Sequence, residues 1–279
     1  GTSAEDLVFI NAPDQLEQLD IQVVELYTTV LDPAGRPVPG LAAEDFRVLE
    51  DGVPQEVVKF AAVADQPIRV GILFDNSASM APVLDATRVA ALKFLQDAIG
   101  PDDEAAIITF NRLPRLQEGL TSNLRLLGGA LAGLTAEGET ALYDSVMFGL
   151  YYFAGVKGQR ALLLLSDGKD EASRFSYEET LDYARRAGVA IYAVGLGLRD
   201  PGVRSRLAEL ANETGGRPFF IDDLAKLSAI YALVQEELRS QYLLTYQSSN
   251  TGDDDAFRSI VVEVAGRGLT ARTLSGYYP

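Results

Sequence analysis

The side chains in this 279-residue chain best placed to do chemistry are oxygen donors. Asp75, Ser77 and Ser79 stand at alternate positions directly after the apolar run Ile68-Arg69-Val70-Gly71-Ile72-Leu73. Asp167 follows a second apolar run ending in Leu162 to Leu165, and Thr140 lies just ahead of the apolar stretch Leu142 to Phe153. In a loop curling off a strand, alternate side chains can point into one cavity. Carboxylates and hydroxyls are hard donors suited to Mg2+, which takes six oxygens at about 2.0–2.1 Å and commonly retains water. Two carboxylates facing one another across a crevice repel unless a cation lies between them.

The chain has no histidine and no cysteine. That removes Ser/His and Cys/His catalysis, imidazole and thiolate metal sites, disulfides and histidine pH sensing. There is no phosphate loop of the G-x-x-x-x-G-K-[ST] type and no G-x-S-x-G elbow. Ser166-Asp167-Gly168-Lys169 matches S-x-x-K, but that chemistry needs Ser and Lys one helical turn apart, and here the Ser closes a strand before a glycine. A metal-dependent hydrolase remains the rival enzyme reading, since a divalent ion can activate water, yet no general base is evident beyond carboxylates that would already hold the ion.

Forty acidic against 24 basic residues give a formal net charge of -16. Such a charge favours solubility and repels nucleic acid and anionic membrane surfaces, so no nucleic-acid partner is expected. No apolar run reaches the length of a membrane span. Opening on Gly1-Thr2-Ser3 without methionine fits a processed or trimmed form, loss of a signal peptide being one route to it.

Periodicity supplies the elements that must hold these residues. Between about Ile68 and Gln241, short apolar runs alternate with helical spacing, the mark of βα units around a parallel sheet. Strands are expected at Ile68–Asp75, Ala105–Phe110, Arg160–Ser166, Val189–Leu196 and Arg217–Ile221. One helix should bury Val89, Leu92, Leu95 and Ile99 and stop at Gly100-Pro101. Ser176 to Glu179 reads as a capping box, and Asp200-Pro201 as a cap with first-turn proline for a helix ended by Gly215-Gly216. A last helix, about Asp223 to Arg239, presents Leu227, Ile230, Val234 and Leu238 on one face. In such a doubly wound sheet ligands bind at the carboxyl ends of strands where the order reverses. If the first and fourth strands are neighbours there, Asp167 ends the strand beside Asp75.

Both flanks are β-rich. Residues 19–63 alternate and turn, with a hairpin signal at Asp51-Gly52, and 241–279 hold three further candidate strands. The expected partition is an N-terminal segment 1–65, an α/β domain 66–240 and a C-terminal segment 241–279 that pairs with 19–63 as a small β-sandwich-like domain. Two separate β extensions are the alternative.

Asp75-x-Ser77-x-Ser79, then Thr140, then Asp167-Gly168, each at a strand-to-helix junction, resembles the metal-ion-dependent adhesion site of von Willebrand factor A (VWA) domains over about Ile68 to Arg239. With its β-rich flanks the chain further resembles bacterial VWA-related proteins, many of them exported. The resemblance implies Mg2+ (or Mn2+, sometimes Ca2+) held directly by the two serines and the threonine, with the aspartates mostly acting through water. It also implies a partner protein or peptide whose Asp or Glu carboxylate completes the shell, an extracytoplasmic location and, by analogy, a last helix that slides. Ala78 departs from the family's usual glycine, and its methyl would tighten the loop if that position needed a positive φ.

Plainer readings compete residue by residue. Ser77, Ser79 and Thr140 read alternatively as helix caps, and Asp167 as the first residue of an Asp-Gly turn. Asp253, Asp254 and Asp255 lack the ligand register of a calcium loop and read as a solvated hairpin tip. Glu137 and Glu139 could tune the crevice, and Tyr143, Tyr151 and Tyr152 read as packing.

Overall fold

Ile68–Asp75 forms a strand because its apolar side chains are needed on both faces at once: Ile68, Val70, Ile72 and Phe74 enter one core cluster and Leu73 another. Gly71 lets the second face close. A Cβ there would sit 2.8 Å from the Phe153 ring and 2.9 Å from Leu162. The computed structural model describes residues 23–64, 66–252 and 255–279. The expected N-terminal segment up to residue 22, and Asp253 and Asp254 of the acidic turn, lie outside them.

In chain order the first flank contributes β1 (Val23–Leu31), β2 (Phe46–Glu50), β3 (Val53–Gln55) and β4 (Val57–Ala62). The α/β part follows with β5 (Ile68–Asp75), α1 (Leu84–Ala98), β6 (Glu104–Phe110), β7 (Pro114–Thr121), α2 (Leu124–Leu131) and α3 (Leu142–Tyr152). It continues through β8 (Gln159–Ser166), α4 (Tyr177–Ala187), β9 (Ala190–Leu196), α5 (Pro201–Glu213), β10 (Pro218–Ile221) and α6 (Leu227–Arg239). The second flank supplies β11 (Tyr242–Gln247), β12 (Arg258–Val264), β13 (Thr270–Arg272) and β14 (Gly276–Tyr277).

The central sheet runs β10-β9-β8-β5-β6-β7, parallel except for β7, which lies antiparallel to β6. Helices α1, α2 and α6 cover one face, and α3, α4 and α5 the other. The order reverses between β5 and β8, which pair in register from Ile68 opposite Gln159 to Phe74 opposite Leu165. Asp75 and Ser166 therefore end neighbouring strands at the switch point.

Local signals set several boundaries. Ser176 accepts a hydrogen bond from the Glu179 amide while the Glu179 carboxylate receives the Ser176 amide, the reciprocal box expected. Asp200 caps α5 by accepting from Gly202 and Val203. On α6 the four expected residues are buried together.

On α1 the expected Leu95 and Ile99 are buried and Leu92 packs on the same core, but Val89 is corrected: it is 63% exposed, and Ala90, Ala91 and Phe94 complete the buried stripe instead. Small alanines allow close approach to the sheet, so the packed stripe is rotated from the one that large side chains alone would suggest. Strand β7 and helix α2 were not expected. The exposed positions of β7, including Leu116 at 44% exposure, break the alternation, and Gly128 and Gly129 interrupt α2.

The two flanks pair with one another. Strand β11 lies between β1 and β4, and β12 between β2 and β14, giving two four-stranded antiparallel sheets. Leu26, Val48, Tyr242, Leu244 and Ile260 from both sheets share one core. Between the sheets the buried Glu50 accepts the Tyr246 hydroxyl at 2.6 Å and faces the buried Arg258 at 3.7 Å. The turn between β2 and β3 is the expected Asp51-Gly52, both residues having positive φ (49° and 79°). Helix α6 is tied to these flanks through Glu237, fully buried, which pairs with Arg217 at 2.6 Å and with Arg272 of β13.

Candidate metal centre

Asp75 ends β5 with no exposed surface, and both of its carboxylate oxygens are engaged. Oδ1 accepts the Ser77 amide at 2.8 Å, and Oδ2 accepts the Ser166 hydroxyl at 2.6 Å. Burial pushes its pKa up to about 6; the hydrogen bonds from Ser166 and Ser77 oppose the rise and the charge of Asp167 adds to it.

Behind Asp75 the backbone makes one short 3-10 turn, Ala78–Met80, anchored by the buried Met80. Ser77 and Ser79 bring their hydroxyl oxygens to 3.1 Å of one another. The capping alternative fails for Ser77: it stands at the N-cap position, yet its side chain makes no cap hydrogen bond. Ala78 opens the turn exposed to solvent, and among the described residues Asp51 is the one non-glycine with positive φ. The alanine methyl therefore meets no strain.

The segment leading into α3 is laced to this turn. Ala78 donates its amide to Gly138 O at 2.9 Å, Glu137 donates to Asn76 O at 2.9 Å, and the Asn76 side chain donates to Thr135 O at 3.0 Å. Thr140 is fully buried at the end of that segment. It does not cap α3, whose N-cap is Ala141, and its hydroxyl oxygen has no hydrogen-bond partner.

The loop after β8 closes the third side. The Thr140 carbonyl accepts the Glu171 and Ala172 amides at 2.8 and 3.0 Å, and Asp170 accepts the Leu142 amide at 2.8 Å. Asp167 begins this loop with its side chain 17% exposed and its Oδ2 4.0 Å from the Lys169 ammonium. Its Oδ1 receives the Lys169 amide at 3.3 Å and Gly168 has φ +79°, so the Asp-Gly turn is present. That turn leaves the carboxylate close enough to raise the pKa of Asp75.

The fold thus joins Asp75, Ser77 and Ser79 directly, bonds the Thr140 loop to their turn and sets Asp167 within electrostatic reach. Ser166 and Asp170 belong to the same framework and were missed in the sequence; their only signal is adjacency to Asp167, since what they bond lies far along the chain. Glu139 pairs loosely with Arg112 at 3.9 Å, both exposed. Tyr143 is buried, Tyr152 accepts the Leu120 amide, and Tyr151 is 70% exposed.

The donors fit a hard divalent cation. A buried hydroxyl without a partner is unfavourable by about 1–3 kcal/mol, and Thr140 carries one in a segment whose backbone is hydrogen-bonded to the turn that bears Ser77 and Ser79. Among the described residues no group of three or more Asp or Glu side chains is placed to hold an ion.

Comparison with known proteins agrees with this frame. The family model described as von Willebrand factor type A domain matches residues 70–233. A search of curated proteins finds no match. Among solved structures, the chain is similar to an aerotolerance-related membrane protein from Bacteroides fragilis, at 17% identity and TM-score 0.52, covering 61% of this chain and 98% of that one. It is similar to proximal thread matrix protein 1 from the mussel byssus, whose structure is described as having a zinc-occupied MIDAS motif, at 23% identity and TM-score 0.57, covering 69% of this chain and half of that one. The vWF domain of the type V pili tip protein Mfa5 from Porphyromonas gingivalis shares 12% identity and TM-score 0.52, with 61% and 94% covered. At these identities the likenesses establish fold alone. With the family model matching more than half of its length around this switch-point crevice, the chain belongs to the von Willebrand factor type A domain family.

Proposed function

We propose that this protein is a divalent-cation-dependent protein-binding module of adhesive or scaffolding type. In this reading Ser77, Ser79 and Thr140 hold Mg2+ (or Mn2+ or Ca2+) directly, Asp75 and Asp167 act mainly through water, and an Asp or Glu side chain of a partner protein fills the remaining position. Bound there, the cation supplies a positive charge that the neutral hydroxyls do not cancel, so it attracts an incoming carboxylate. The chain's own residues hold the crevice in shape: Ser166 orients Asp75, and Asp170 fastens the third loop to α3.

The observation that carries the reading is the buried, unpartnered Thr140 hydroxyl in a segment hydrogen-bonded to the serine turn. Neighbours described as a pilus tip domain, a byssus matrix protein and a membrane protein support an adhesive role and an extracytoplasmic location. In the described residues no helix is long and apolar enough to cross a membrane. The hydrolase reading gains no support, because among the described residues the one carboxylate with a raised pKa, Asp75, is buried with both oxygens already bonded. We take 66–240 as the metal-binding unit and the paired flanks as its carrier.

Calorimetric titration of Mg2+ and Mn2+ into the wild type and Asp75→Ala tests the proposal. Saturable binding in the wild type, lost in the variant, is expected. Equal and negligible heats in both proteins would overturn it.

A further inference from the structure

A large cavity lies away from the candidate metal centre. It is a cleft of about 730 Å3 where the outer face of the β1/β11/β4 sheet meets the amino-terminal ends of β8 and β9, at the opposite end of the parallel strands from Asp75. That volume falls in the range of about 300–1,000 Å3 typical of small-molecule sites. Cross-strand register builds its sheet wall: Glu25 is opposite Thr245, which is opposite Lys59, and Tyr27 is opposite Leu243. Lys157, Gln159 and Arg160 form the facing wall.

This cleft concentrates unmet polar groups. Arg160 Nε is buried without a hydrogen-bond partner, and among the described residues no carboxylate lies within ion-pair distance of its guanidinium. Glu25 and the Tyr27 hydroxyl act on it only at longer range, and burial lowers its pKa. Gln159 spends its amide nitrogen on Leu238 O and Gln241 Oε1 at 2.7 and 2.6 Å, so its own buried oxygen is left unpartnered. Lys59, Lys157 and Arg160 against Glu25 leave two positive charges in a chain whose net charge is -16. A guanidinium whose Nε is buried without a partner is under-satisfied, and a planar oxyanion matches its donor fork.

The geometry points to a second ligand site: this interdomain cleft binds a small dianion carrying carboxylate or phosphate groups, received by the Arg160 guanidinium while Lys59 and Lys157 neutralise it from opposite walls. Two surplus charges select a dianion over a monoanion. Because the walls belong to different domains, the ligand also fastens the β-flanks to the α/β unit.

The test is titration of inorganic phosphate and, separately, succinate into the full chain, followed by calorimetry and thermal shift. Buffer is stripped of divalent ions with a chelating resin and ionic strength is held constant with NaCl. At least one anion should bind saturably with Kd below about 1 mM, and Arg160→Gln should weaken it at least tenfold, about 1.4 kcal/mol. Asp75→Ala should titrate like the wild type, which keeps this site separate from the metal centre. If Arg160→Gln does not fold, the surface double variant Lys59→Gln/Lys157→Gln takes its place with the same expectation. Shifts no larger than those of matched NaCl, or unchanged binding in these variants, would overturn the proposal and leave an adventitious anion effect only.

Discussion

Ser166 and Asp75 end neighbouring strands and are joined by a 2.6 Å hydrogen bond in which the serine hydroxyl donates to the carboxylate. The same hydroxyl oxygen accepts the Gly168 amide at 2.9 Å, so Ser166 is held from both sides. Under the proposed function it keeps Asp75 ionised and aimed. Ser166→Ala should leave the fold intact and reduce Mg2+ affinity by about tenfold, the low end for loss of a group that orients a ligand. Calorimetric titration checks this; wild-type affinity in the variant would remove Ser166 from the metal framework.

Thr140 yields a prediction of opposite sign in two conditions. Replacing its buried, unpartnered hydroxyl with a methyl in Thr140→Val should stabilise the metal-free protein by about 1 kcal/mol, because an unsatisfied oxygen is removed without changing shape. The same variant should lose the rise in Tm that saturating Mg2+ gives the wild type, about 2.7 kcal/mol at one hundred times Kd. Thermal denaturation with EDTA and with Mg2+ reads both effects. A variant destabilised in EDTA would mean that the hydroxyl is satisfied within the protein.

The pKa of about 6 at Asp75 sets a pH window. A carboxyl raised in the folded state binds its proton more tightly there than in the unfolded chain. Its contribution to stability is therefore complete below about pH 4, the unfolded value, and is lost as pH rises through about 6. A cation needs the deprotonated form and opposes that loss. The Mg2+-induced rise in Tm should accordingly be full at pH 7.5 and fall away below pH 6; a rise independent of pH between 5 and 8 would contradict the assignment of Asp75.

Glu237 is fully buried between Arg217 and Arg272, and it joins α6 to β13. Glu237→Ala leaves two guanidinium groups without their shared counter-charge and should destabilise the protein by about 3–5 kcal/mol in urea denaturation. Glu237→Gln, which retains hydrogen-bonding capacity, should lose less. Equal, small losses in both would show that the flanks hold α6 by apolar packing alone.

Reading the sequence went furthest where structure is local. The Asp75 to Ser79 turn, the Ser176 box, the Asp200-Pro201 cap and the Asp51-Gly52 hairpin all depend on groups a few residues apart, so their chemistry is visible in the order of residues. On α1 only Val89 departs from the expected stripe, because alanine carries little hydrophobic signal and yet Ala91 is buried where Val89 is exposed. Strand β7 escapes the pattern because most of its side chains are partly in water, so no clean alternation of buried and exposed positions marks it.

What the sequence determined by itself is the inventory: hard oxygen donors at three strand-to-helix junctions, no imidazole or thiol, and enough apolar periodicity to build a parallel sheet. The tertiary structure decided the rest. Pairing of β5 with β8 brought Ser166 to Asp75, the backbone bonds of Gly138 and Asn76 joined the Thr140 loop to the serine turn, and packing of the flanks on the base of the sheet buried Arg160 Nε without a partner. The physical reason is that hydrogen bonding and burial act through space: a hydroxyl is a cap, a ligand or an orphan according to neighbours that the order of residues along the chain does not name.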